Sequence, residues 1–123
     1  MRKRRSLIDC SAHATIEDTK VEVAVYRTGA YNKWLDGLRD KKARDRILAR
    51  VRRLTLGNAS DSKRLSGGIS ELRIHYSKGY RVYYAWHEAK LLLLLVGGNK
   101  ATQNRDITMA RKLLKSAIKE LEQ

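Results

Sequence analysis

The sequence predicts an α+β domain with element order β-α-α-β-β-β-α and a mainly antiparallel sheet packed by helices. Three patterns carry this: an early alternation of valines, two stretches with helical apolar spacing, and three strand-like runs at hairpin spacing ahead of a final amphipathic helix. The chain has 123 residues, the size of a single domain.

Residues 1–19 show neither period nor apolar face and read as a basic, flexible arm led by Arg2–Arg5, leaving 20–123 as the folded domain. Val21, Val23 and Val25 alternate with polar residues and run into Tyr26, giving the first strand. Thr28 is a candidate N-cap, and Tyr31, Trp34, Leu35 and Leu38 make one stripe of a short helix. A second helix spans about Lys41–Leu54, with Ile47, Leu48, Val51 and Leu54 on its apolar side. Arg44, Arg46, Arg50, Arg52 and Arg53 mostly face elsewhere, and Gly57-Asn58 ends the helix. Ser60–Gly68 reads as a polar loop carrying Lys63 and Arg64. Ile69–Tyr76, Tyr80–Trp86 and Leu91–Val96 are the three later strands. The last helix runs from about Arg105 to Leu121, with Ile107, Ala110, Leu114, Ala117 and Leu121 in line and Asp106 suited to its positive end.

Lysine and arginine number 27 against 13 acidic residues, a formal net charge of +14, which points to a polyanionic partner, with nucleic acid first. The single cysteine, Cys10, rules out an internal disulfide framework. The basic start resembles the first part of a signal peptide, but Asp9, His13, Glu17 and Asp18 interrupt the stretch where an apolar core would lie. The longest apolar run, Leu91–Val96, falls far short of the roughly 20 residues of a spanning helix, so a cytoplasmic protein without membrane contact is expected. No phosphate-loop or dinucleotide fingerprint and no metal-ligand spacing occurs, so neither a metal nor a nucleotide cofactor is expected.

A three-residue hairpin turn sets Tyr76 opposite Tyr80, His75 opposite Arg81 and Arg73 opposite Tyr83. Alternation then sorts Leu72, Ile74, Tyr76, Tyr80, Val82, Tyr84 and Trp86 onto an apolar face that meets the first two helices. Glu71, Arg73, His75, Arg81 and Tyr83 share the opposite, polar face. These residue types suit metal-free RNA cleavage. Guanidinium groups pair with phosphate oxygens, histidine trades protons near neutral pH, and tyrosine stacks on a base or donates a proton. A solvated sheet face with cross-strand charge pairs is the plainer alternative. Gly97-Gly98 lets the backbone approach a ligand, and Lys100 adds charge ahead of the last helix.

The strings Glu71-Leu72-Arg73-Ile74-His75-Tyr76, Gly79-Tyr80-Arg81-Val82-Tyr83 and Gly97-Gly98-Asn99-Lys100, with Gln103 and Asp106-Ile107, resemble the RelE/HigB superfamily. Within it the chain is similar to the addiction-module killer proteins, or phage-derived Gp49-like toxins. Trp34-Leu35-Asp36-Gly37-Leu38 and the basic second helix share in this, and the resemblance runs from about residue 21 to about 115.

The resemblance implies a RelE-like fold and the toxin of a type II toxin–antitoxin system. Such a toxin is a ribosome-dependent mRNA endonuclease acting in the A site, beside the 16S rRNA. It also implies a small helix-turn-helix antitoxin bound in a hetero-oligomer. Arg73 matches the arginine that holds the scissile phosphate. Lys63 and Arg64 match the basic loop, Lys100 a basic position after the last strand, and Arg81 a recurrent arginine. Arg50, Arg53 and Gln103 complete the expected RNA-binding set, and the acid–base roles of His75 and Tyr83 rest on geometry alone. Asn99 stands where the branch often has aspartate, and residues 1–20 extend past the usual start. A gyrase-inhibiting toxin of the ParE type, a non-catalytic RNA- or ribosome-binding module and an inactive co-repressor are the alternatives.

Overall fold

The structure is a computed structural model that describes residues 15–18 and 23–123; the basic cluster Arg2–Arg5, Cys10 and Val21 lie outside the described residues. Six strands, β1 (Thr15–Asp18), β2 (Ala24–Arg27), β3 (Ser62–Arg64), β4 (Ser70–Ile74), β5 (Tyr80–His87) and β6 (Leu91–Gly98), form one sheet in the order β1-β2-β6-β5-β4-β3. The helices are α1 (Gly29–Asp36), α2 (Lys41–Thr55) and α3 (Gln103–Leu121). The sheet is mixed: β2 runs parallel to β6, because α1, α2 and three strands intervene, and the other pairings are antiparallel.

Two short strands go beyond the sequence expectation, and both lie at sheet edges. Thr15–Asp18, within the segment expected to be an arm, pairs with β2. Ser62–Arg64, expected as loop, pairs with β4. Alternation over so few residues leaves no signal to read; the neighbouring strand supplies the order.

The helix ends follow local chemistry. Thr28 caps α1 by accepting from the Tyr31 amide at 3.0 Å. Its hydroxyl also donates to the carbonyl of Leu95, the extra β6 residue where the β5–β6 register shifts between Tyr83 and Tyr84. Asp40 caps α2 through the amides of Lys42 and Ala43. Gly57, at φ 92°, closes α2, with its amide on Leu54 O and that of Asn58 on Arg53 O, the paired bonds of a Schellman turn.

Apolar side chains fill both faces of the sheet. Tyr31, Leu35, Ala43, Ile47, Val51 and Leu54 of α1 and α2 pack on Leu72, Ile74, Tyr80, Val82, Tyr84, Leu92 and Leu94, the face expected to receive them. Leu48, placed on that side by its spacing, is instead exposed. On the other face Tyr26, Ile69, Tyr83, Ala85, Leu93, Leu95 and Val96 meet Ala110 and Ala117 of α3. The unbroken apolar run of β6 is what a strand covered on both sides requires. The polar face expected around Tyr83 is therefore roofed by α3 over much of its length.

The β4–β5 register corrects the hairpin expectation. Ile74 lies opposite Tyr80, Arg73 opposite Arg81 and Glu71 opposite Tyr83, leaving His75–Gly79 as the loop. The slip is two residues, an even number, so each strand residue keeps its expected face. His75 leaves the ladder and becomes a loop residue.

Candidate nucleic-acid interface

The His75–Gly79 loop and Lys100 frame an open cleft of about 430 Å³, with Arg73 and Arg81 in its wall. Ser77 takes φ 53° and Gly79 φ 72°, which turns the chain back sharply. At Gly79 a Cβ would press on the Arg81 guanidinium, 3.2 Å away. The Lys100 amide donates to Lys78 O at 3.3 Å, tying the loop to the turn after β6. That turn is held by Asn99, whose side chain accepts from the amides of Ala101 and Thr102. The cleft thus gathers Arg73, His75, Lys78, Arg81 and Lys100, with no carboxylate among the described residues of its lining.

Two acids hold residues of this cleft. Glu71 is buried and faces Arg81 Nε at 3.4 Å, while accepting from the Tyr83 hydroxyl at 3.1 Å and Gln103 Nε2 at 2.8 Å. Arg81 also donates to Gly79 O at 2.6 Å. Its Nη1 is thereby engaged in holding the hairpin, while the buried Nε faces the Glu71 charge without a hydrogen bond among the described residues. Burial first, and then the charge of Glu71, push the Tyr83 phenol above its ordinary value. Asp61, at the entry to β3, offers one carboxylate oxygen to Arg73 Nη2 at 3.1 Å and the other to His75 Nε2. The hydrogen bond from His75, with the Arg73 charge beside it, holds the Asp61 carboxyl below its usual value. His75 is largely exposed, and this contact at Nε2 leaves Nδ1 as its other nitrogen.

Arg73, His75, Arg81 and Lys100 are brought together as expected, whereas Tyr83 and Gln103 are not in the cleft lining. Tyr83 is fully buried under α3, and Gln103 spends its amide on Glu71. Arg50 donates to the carbonyl of Arg73 at 2.9 Å and so fixes the strand end that carries the cleft. Arg53 lines a neighbouring hollow with Arg46. Lys63 and Arg64 are both exposed, but successive positions on β3 send them to opposite faces. Gly97 and Gly98 serve packing rather than ligand approach: a Cβ would run into the Trp34 ring at Gly97 and into the Asp106 carboxylate at Gly98. Sequence reasoning misses Lys78 and Asp61. Lys78 sits in what reads as a plain turn, and Asp61 acts across a strand pairing too short to foresee.

Among the described residues, no cluster of His, Cys, Asp and Glu is arranged to hold a metal ion, and no helix is long and apolar enough to cross a membrane.

Residues 33–121 match the family of phage-derived proteins described as Gp49-like, and the chain belongs to that family. It is a family of toxins from toxin–antitoxin systems within the RelE/HigB-like superfamily, and membership implies an antitoxin partner. A protein of Haemophilus influenzae, described as uncharacterized, is 41% identical over 91 residues, covering 74% of this chain and 92% of its own. No solved structure matches the chain.

Proposed function

We propose that this toxin is a metal-free endoribonuclease that cuts mRNA on the ribosome and so stops translation. The observation that carries the reading is the meeting of Arg73, Lys78 and Lys100 with His75 around one cleft, with Asp61 held against Arg73 and His75. A phosphodiester seated there receives a charged donor from Arg73, whose Nη2 also holds Asp61, and point charges from the two lysines. In the reaction a 2′-hydroxyl loses its proton and attacks the adjacent phosphorus. The 5′-oxygen leaves with a proton, giving a 2′,3′-cyclic phosphate and a 5′-hydroxyl end. His75, steadied at Nε2 by Asp61, is the proton carrier of this account, and the cationic groups stabilise charge gathering on the phosphoryl oxygens. Arg81 acts as a framework for the cleft and Tyr83 as part of its buried support.

The +14 charge favours docking on ribosomal RNA, and the exposed Lys63, on the strand face shared with Glu71 and Arg73, extends the basic surface past the cleft. The partner is a helix-turn-helix antitoxin, and the fold is RelE-like. The site of action is the cytoplasm. Toeprinting of a message on programmed ribosomes, with gyrase supercoiling run in parallel, tests the reading. Breaks within A-site codons are expected. A gyrase block with an intact message would assign the chain to ParE-like action.

A further inference from the structure

The hairpin cleft has a neighbour that shares two of its residues. Arg46, Ala49, Arg50 and Arg53 of α2 face Ile74 and His75 across a hollow of about 270 Å³. The arginines are spaced i, i+4 and i+7, so they lie on one side of the helix, and Ala49 leaves room between them. Each is held differently. Arg46 lies over the Tyr76 ring, its guanidinium carbon 4.6 Å from the ring centre. Arg50 gives one nitrogen to Arg73 O, while its buried Nη2 has no hydrogen-bond partner among the described residues. Arg53 is exposed in the last turn.

Among the described residues no carboxylate lines this hollow. Asp45, next to Arg46, points its charge to Lys41 at 3.7 Å. Three guanidinium groups about one concavity, with no acid among them, repel one another until an anion enters. A phosphodiester suits such a set, since its two charged oxygens accept from separate forks while its ester oxygens carry the strand onward. The hollow and the hairpin cleft meet at His75 and Ile74, so one ligand reaches both by passing His75.

We infer that the α2 arginine row is a second phosphate subsite, which holds the phosphodiester adjacent to the one in the hairpin cleft on the same single RNA strand. This rests on the reading of the hairpin cleft as an RNA site. It adds the path of the strand: His75 stands between two consecutive phosphates, beside the ribose that joins them. That is where a group serving a 2′-hydroxyl has to stand. Arg46 and Arg53 bind the strand and take no part in bond breaking.

The test uses the whole chain and two oligonucleotides with 2′-O-methyl riboses, which lack the attacking hydroxyl. The dinucleotide has one phosphodiester, the trinucleotide two. Nuclear magnetic resonance titration follows the arginine side chains and His75. Both ligands are expected to move His75 and Arg73, while only the trinucleotide moves Arg46 and Arg53. The trinucleotide gains affinity over the dinucleotide, and that gain disappears in Arg46→Ala/Arg53→Ala with dinucleotide binding unchanged. For longer strands the slope of log K against log salt becomes shallower in this variant by about 0.7, one single-strand phosphate. A trinucleotide gain that survives in the variant overturns the second subsite and leaves the hairpin cleft standing; the row then serves another surface, such as an acidic protein. Failure of either ligand to move Arg73 and His75 overturns the RNA reading itself. Both arginines are replaced on the solvent side of α2, and an unchanged circular dichroism melt confirms that the variant folds.

Discussion

Replacing Glu71 by Gln removes the one carboxylate behind the cleft that is fully buried, while keeping its shape. Glu71 is 1% exposed, and the Arg81 side chain it faces is 13% exposed, so neither charge has water to fall back on. Breaking a buried pair by removing one partner costs about 3–5 kcal/mol, most of it the penalty of the stranded charge. Glutamine keeps a carbonyl for Tyr83 or Gln103, and Arg81 keeps its bond to Gly79 O, which places the expected loss near the low end, about 3 kcal/mol. In a domain of this size that corresponds to a fall in Tm of roughly 12 °C. Urea unfolding of Glu71→Gln, Arg81→Met and the double variant measures it. The double variant is expected to lose well less than the two single losses added together, with a coupling of about 2 kcal/mol. The Tyr83 phenol also comes down once the neighbouring negative charge is gone. A loss under about 1 kcal/mol, or strictly additive singles, would refute the reasoning that Arg81 is engaged as a strut.

Three further outcomes are expected elsewhere in the fold. The Asp61 carboxyl is held below its unfolded value of about 3.9, so its contribution is present above that pH and is lost as pH falls through the lower folded value. In His75→Ala its titration, followed by carboxyl carbon resonances, moves upward, and no movement would remove the His75 contact from the account. Gly97→Ala drives a methyl group into Trp34 and is expected to destabilise by about 1–3 kcal/mol in urea, whereas an unchanged midpoint would contradict the packing. Burial pushes the Tyr31 phenol up to about 12, and its hydroxyl has no hydrogen-bond partner among the described residues. Tyr31→Phe should therefore be neutral or stabilising by up to about 1 kcal/mol, and a clear loss of stability would show a partner for that hydroxyl.

The elements legible in the sequence are those with enough length to repeat. The α2 stripe of Ile47, Val51 and Leu54 and the α3 line through Ala110 and Ala117 sit where spacing puts them. β3 is three residues long and gains its order from β4, which no local pattern announces. Strand alternation gives Tyr83 its correct face but not its environment. Alternation tells which side a residue takes, and only tertiary packing tells whether α3 lies over that side. The site shows the same division. Strand geometry suffices to place Arg73 and Arg81. The slip that moves His75 into the loop depends on Ser77 at φ 53°, a conformation for which serine gives no warning. Asp61 becomes visible as a partner only once β3 brings it beside Arg73.

The most direct measurement is the rate at which Arg73→Ala cleaves a message on programmed ribosomes, beside the unaltered chain. Arg73 is partly exposed at the rim of the cleft and pairs with Asp61, so its loss leaves both hydrophobic clusters intact. Removing one preorganised donor to developing charge slows such a step by about 10²–10³-fold. The account predicts that loss in a variant that melts as a folded domain. Cleavage at an undiminished rate would contradict it.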